Sequence, residues 1–202
     1  METPVTAIHP LLARSTLVIN QKAKLVEVSV EFGLLDEYGM RVGEIRQVGQ
    51  SPLVGLLRVA NSLDPLLPIA FEIRDASGIP ALVLSKPWFS WRVSVSHPDG
   101  STLGHVQKQL RVGKPRFAIQ DVAGAEIGSV QAENWRAWDF AVCDVHGQEV
   151  ARVTKKWEGL AKSVFTNADN YVVQIDDWLS DPLRSLAVAA VVAIDTIVKQ
   201  GK

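Results

Sequence analysis

Residues 181–202, DPLRSLAVAAVVAIDTIVKQGK, read as a helix that is apolar on every side. Asp181 can cap its start and Pro182 suits the first helical position. Lys199 complements the negative end, and Gly201 can close the C-terminus. From Leu186 to Ile194 no side chain is polar, and at helical pitch those residues point in all directions. Such a helix has to be enclosed, by lipid or by protein. The unbroken apolar run rises only about 13 Å and the segment about 27 Å, short of a hydrocarbon core of about 30 Å. Asp195 and Thr196 interrupt it further. Enclosure by the chain's own strands is therefore expected, with the helix over 182–200. Asp195, placed near the negative end of an apolar helix, calls for a partner: Lys199 one turn on, or a group at the mouth of the enclosing structure.

Upstream, one pattern recurs five times between Phe32 and Val153: an alternating strand, a turn, and a second strand that often opens with a small residue between aliphatic ones. The turns are Asp36–Gly39, Asp75–Gly78, His97–Gly100, Asp121–Gly124 and Asp144–Gly147. Asp at the first turn position accepts from nearby backbone amides, and Gly takes the left-handed conformation that returns the chain. In the third copy His97 replaces Asp, and Pro98 supplies the turn. Five hairpins give about ten strands, and Leu17–Asn20 and Tyr171–Ile175 add two. A mainly β fold follows: a closed antiparallel barrel of about twelve strands around the central, buried C-terminal helix. Closure removes the sheet edges and provides the enclosure.

The chain has 202 residues with 47% hydrophobic content and no Ser/Gly-rich or Pro-rich linker. One domain over 15–202 is expected, preceded by a flexible lead-in over 1–14 that lacks the features of a secretion signal. Its 21 basic and 22 acidic residues nearly cancel, so bulk charge offers no attraction to nucleic acid or to an anionic membrane. Any such contact must be local. The single cysteine, Cys143, excludes internal disulfides, suits a reducing cytoplasm, and lies in an alternating strand where an inert buried thiol is expected.

The stretch Glu133–Ile175 (ENWRAWDFAVCDVHGQEVARVTKKWEGLAKSVFTNADNYVVQI), the terminal AVAAVVAID and the early Leu17–Lys22 (LVINQK) together resemble the phospholipid scramblase and LURP-one-related group. The resemblance implies the tubby-like fold, a twelve-stranded barrel around a central helix, and a phospholipid-related role. The long proline-rich N-terminal region and the cysteine cluster of the animal scramblases are missing from this sequence. The group's proposed calcium-binding segment corresponds to residues 167–177, which implies Asn167, Asp169 and Asp176 as oxygen donors and calcium as the ion. An EF-hand loop counted from Asn167 would need Gly at its sixth position and Glu at its twelfth, where this chain has Val172 and Trp178. A hairpin turn at 167–170 is the simpler reading.

Between His105 and Gln120 the chain carries Lys108, Arg111, Lys114 and Arg116 and no acidic residue. Four cations on one hairpin can hold phosphate head groups, or simply keep an exposed strand soluble. Lys155 and Lys156 beside Trp157 form a second cluster, with an aromatic suited to a membrane interface. The insertion 50–68 places Leu53, Leu56, Leu57, Ala60 and Leu63 on one helical face, fit to cap an open end of the barrel, to dip into a lipid surface or to contact a protein partner. Trp88, Phe89 and Trp91 fit either a core or an apolar rim.

No catalytic constellation is evident. The histidines His9, His97, His105 and His146 lack metal-ligand spacing, and neither a nucleophile elbow nor a phosphate-binding glycine loop occurs. A non-enzymatic, cytoplasmic protein is expected that binds phospholipid or another anionic membrane surface peripherally, with no transmembrane segment and little prospect of nucleic-acid binding. Two alternatives remain open: a membrane-embedded, calcium-responsive lipid scramblase, and a soluble protein-interaction module using 50–68.

Overall fold

The structure is a computed structural model that describes residues 8–21, 31–49, 68–109, 114–134, 138–155 and 170–199. The side chains of Gln21, Glu31, Asp195, Thr196, Val198 and Lys199 lie outside that description. In chain order the strands are β1 (Thr16–Gln21), β2 (Glu31–Leu35), β3 (Arg41–Gln47), β4 (Ile69–Asp75), β5 (Pro80–Lys86) and β6 (Arg92–Ser96). They continue as β7 (Thr102–Gln109), β8 (Arg116–Gln120), β9 (Glu126–Asn134), β10 (Asp139–Asp144), β11 (Glu149–Thr154) and β12 (Asn170–Ile175). Helix α1 (Leu183–Lys199) follows. Each strand from β2 to β12 pairs antiparallel with its predecessor or successor, and β1 closes the barrel between β12 and β2. The expected twelve-stranded barrel with one C-terminal helix is what forms, and Thr16–Gln21 and Asn170–Ile175 are the two strands outside the hairpins.

The five repeated turns lie together at one end. In four of them one Asp oxygen accepts two backbone amides; Asp121 Oδ1, for example, takes those of Ala123 and Ala125, both at 2.9 Å. The His97 turn keeps the same backbone bonds, Gly100 N–H to His97 O at 3.0 Å and His97 N–H to Ser101 O at 2.9 Å. There Asp99 stands in, accepting the Ser101 amide and hydroxyl, and these bonds hold its carboxyl below the usual range.

Alternation sends Ile45, Ile73, Leu84, Val106, Phe117 and Val130 inward to the core, and the helix fills the lumen, with Leu186 to Ile194 all buried. The small residue that opens the second strand of several hairpins marks where the helix is seated. A Cβ on Gly104 would stand 2.3 Å from Gln120 O and 2.8 Å from Leu186 Cδ1, and one on Gly128 would stand 2.8 Å from Leu183 Cδ1. Only hydrogen fits there.

The helix start is held from outside its own axis. Asp181 Oδ1 accepts the Ser185 amide at 3.0 Å, as a cap should. Arg184, only 3% exposed, donates to the carbonyls of Leu12, Ala13, Arg14, Asp176 and Leu179 at 2.8 to 3.2 Å. These bonds fasten residues 8–14 to the barrel, with Leu11 and Leu12 buried in the core. That part of the expected flexible lead-in is packed structure, because two leucines and three carbonyls are consumed in covering the helix N-terminus.

Candidate functional site

Strand direction puts every other connection at the opposite end, around the C-terminal half of the helix. The connections 22–30, 48–68, 87–91, 110–115, 135–138 and 155–169 all start and finish on this rim. Of the expected lipid-binding residues, Lys108, Lys114 and Lys155 belong to it. Lys108 is the next-to-last residue of β7, with Nζ 4.7 Å from the ring centre of Trp91, a distance suited to cation–π attraction. Lys155 follows β11 with Nζ 5.5 Å from the rings of both Trp138 and Tyr171. Trp138 stacks on Tyr171 at 4.8 Å and meets Phe140 edge-on at 5.6 Å. Lys114 is exposed.

Arg116 is differently employed. It donates to Gln109 at 2.6 Å and pairs with Glu126, so its charge is taken up on the barrel wall. Arg111, Lys156 and Trp157 lie outside the described residues, as does the predicted amphipathic helix of 50–68 up to Leu67.

The lumen side of the rim carries one more cation. Lys86 is 3% exposed on the inward register after Leu82 and Leu84, beside Val192 and Ala193 of α1. Alternation turns Lys86 toward the C-terminal half of the helix, where the backbone dipole is negative and a buried ammonium is least costly. Two clefts open between helix and wall there. One, of about 190 Å³, is bounded by Phe71, Leu84, Lys86 and Val192, and the other, of about 180 Å³, by Phe32, Ile45, Tyr171 and Val191. Each has room inside for about one water molecule. Neither can take an acyl chain.

The connection Pro87–Trp91 is the apolar part of the rim. Trp88 is 48% and Phe89 71% exposed, and Trp91 stands half out of the barrel over Lys108. Phe89 holds φ at 56°, a left-handed conformation costly for a bulky residue. These three aromatics therefore form a rim and not a core.

Of the implied calcium donors, Asn167 and Asp169 lie outside the described residues, and Asp176 stands at the turn end, just after β12. Asn170, the first residue of β12, is buried and accepts from Asn20 Nδ2 at 2.6 Å.

The histidines are dispersed. His9 Nε2 lies 3.7 Å from Asp75, His105 Nδ1 lies 3.2 Å from Ser94 Oγ, and His97 and His146 sit in separate turns. Burial, with Arg92 nearby, pushes the His105 pKa down. The Cys143 side chain is buried, and desolvation together with Glu149 and Asp144 raises its pKa, which disfavours the reactive thiolate. Among the described residues no group of three or more His, Cys, Asp or Glu is arranged to hold a metal. No helix among them is long and apolar enough to cross a membrane.

Comparison with known proteins agrees with this architecture. The Scramblase family model matches residues 1–198. Phospholipid scramblase 2 of Bos taurus is 23% identical over 194 residues, covering 89% of this chain and 66% of the bovine protein. Phospholipid scramblase 1 of Homo sapiens is likewise 23% identical over 194 residues, covering 61% of its own length. The chain thus spans less than two-thirds of the length of these relatives. The X-ray structure of the Arabidopsis thaliana protein AT5G01750 superposes with a TM-score of 0.56 at 14% identity, covering 98% of this chain and 99% of that one, a likeness of fold consistent with the tubby-like barrel. On the family match, this chain is a member of the scramblase family.

Proposed function

We propose that this protein is a peripheral binder of anionic phospholipid surfaces, acting at the cytoplasmic face of a membrane without threading a helix through it. The observation that carries the reading is that Lys108, Lys114 and Lys155 share one rim with the exposed aromatics Trp88, Phe89 and Trp91. A lysine near an anionic leaflet contributes roughly 1 kcal/mol, and aromatic rings favour the interfacial layer. Arg111, Lys156 and Trp157 extend the same set in sequence. Burial of α1 supports attachment over embedding, since a lumen already filled by the helix offers no polar path through hydrocarbon.

Flotation with phosphatidylcholine vesicles, with and without phosphatidylserine, tests this. Binding is expected only with the anionic lipid, and it should fall as salt rises. Lys108→Glu with Lys114→Glu should lower it by about thirtyfold or more, because two attractions of roughly 1 kcal/mol each are lost and two repulsions added. Equal recovery with neutral vesicles, or none with either, would remove the proposal.

A further inference from the structure

The barrel is electrically polarised along its axis, and the two ends carry different apolar groups. The turn segments 36–40, 75–79, 97–101, 121–125, 144–148 and 176–182 contain nine carboxylates and no lysine or arginine. Among the described residues, the connections of the opposite rim carry Lys114 and Lys155 and no carboxylate, and Lys108 adds a third cation beside them. The turn end also shows exposed apolar side chains, Tyr38, Met40, Ile79, Val122, Val145 and Trp178, but among aspartates that an anionic surface would repel. Trp88 and Phe89 lie on the cationic rim, on a connection that holds no charge of its own.

We infer that the barrel docks end-on against an anionic phospholipid bilayer, with the β5–β6 connection Pro87–Trp91 entering the interfacial layer as its apolar tip. The inference rests on the lipid-binding reading above and adds an orientation and an anchor to it. Charge selects the end: the field of the rim draws the negative surface, and the acidic end faces away. Trp88 and Phe89 then supply short-range apolar contact that salt does not screen. Phe89 combines a left-handed backbone with a ring that is 71% exposed, an outlier kept on a side chain that packs into no core.

Two measurements on the full chain test this. In flotation with phosphatidylserine-containing vesicles, Trp88→Ser with Phe89→Ser should weaken binding by about tenfold at all salt concentrations. Val122→Ser with Val145→Ser at the turn end should leave it unchanged. Independently, Trp88→Cys carrying a polarity-sensitive fluorophore should shift to the blue on adding those vesicles, and Ala123→Cys should not. The buried Cys143 thiol leaves such labelling site-selective. If the unaltered protein fails to float with any vesicle, the lipid-binding reading falls and takes this inference with it. If it floats but the rim pair binds normally, the turn pair loses binding, or only the Ala123 probe shifts, the lipid reading stands and the orientation is overturned. Loss of a concentration-dependent dimer in the rim pair, with vesicle binding intact, would assign the aromatics to a second copy of the chain and also overturn it.

Discussion

At the turn end the left-handed backbone positions are glycines: Gly39, Gly78, Gly100, Gly124 and Gly147. At the rim the two such positions that are not glycine are Phe89 and Trp138. The first arrangement is the one a stable hairpin array needs. The second keeps large rings in a conformation that glycine would adopt at no steric cost. Trp138 spends its outlier on packing against Tyr171 and Phe140, whereas Phe89 holds its own with the ring mostly in water, which points to a task at that place. The turn end is thus where the chain is fastened, and the rim is where it is presented. Arg184, the glycines under the helix start and the capped turns all belong to the first. Exposed aromatics and the rim lysines belong to the second.

Deleting the helix should produce the largest effect, and it bears on both ends at once. Truncation after Ser180 removes Leu186 to Ile194 from a lumen whose wall is lined by Ile45, Ile73, Leu84, Val106 and Phe117. An empty lumen of that size cannot collapse without breaking the closed hydrogen-bond network. The truncated chain is expected to aggregate or to lack a cooperative calorimetric transition. A sharp melt would show that the barrel closes without its core.

Next in size is Arg184→Met. The guanidinium is buried and every donor is satisfied by main-chain carbonyls, none by a carboxylate. Its removal leaves five carbonyls to find other donors and frees residues 8–14. A loss of about 3–5 kcal/mol is expected from urea denaturation, as for other buried charged networks that lose one member. Arg184→Lys should recover only part of it, since an ammonium cannot span the same fork of acceptors. A loss under about 1 kcal/mol for Met would mean that the N-terminal segment is not held by this side chain.

Much of this molecule is legible in its sequence because its repeated features are local. Asp, Gly and alternation carry the turns and strands, and the even apolarity of 181–202 requires an enclosure. The small residues at Gly43, Gly104 and Gly128 were visible as a motif, but their reason is long-range: Leu11, Leu186 and Leu183 arrive there from distant parts of the chain. Arg184 gives no local signal, since an arginine near a helix start reads as a solvated residue until the carbonyls around it are known. The polarity of the barrel is hidden for a related reason. Cations and carboxylates alternate along the chain, and only the up-and-down strand order sorts them to opposite ends. Arg116 shows the limit of counting charges in a segment, because Glu126 on the neighbouring strand takes up its charge.

Gly104→Ala probes the fastening end more gently. The added methyl would meet Gln120 O at 2.3 Å and Leu186 at 2.8 Å, so backbone and helix must both move. Overpacking of this kind costs about 1–3 kcal/mol. Gly33→Ala, where nothing lies within 4 Å and the backbone is an ordinary strand, should change stability by no more than about 0.5 kcal/mol. Equal effects at the two sites would dissociate the small-residue motif from helix seating.

The smallest effects come from exchanging the two ends' solutions to the same backbone geometry. Gly124 has φ of 83° and open space around its Cα, so Gly124→Ala should cost about 1 kcal/mol through backbone strain alone. Phe89→Gly is the reverse exchange. It relieves about 1 kcal/mol of left-handed strain and loses a ring that is mostly in water, while the freer unfolded chain takes back about 0.4–1 kcal/mol. The melting temperature of Phe89→Gly should therefore stay within a few degrees of the parent, or rise slightly, while vesicle binding weakens. Thermal melts of both variants, followed by flotation of the second, separate the two ends cleanly. If Phe89→Gly is as destabilising as a core truncation, the ring is structural and the rim is not a presented surface.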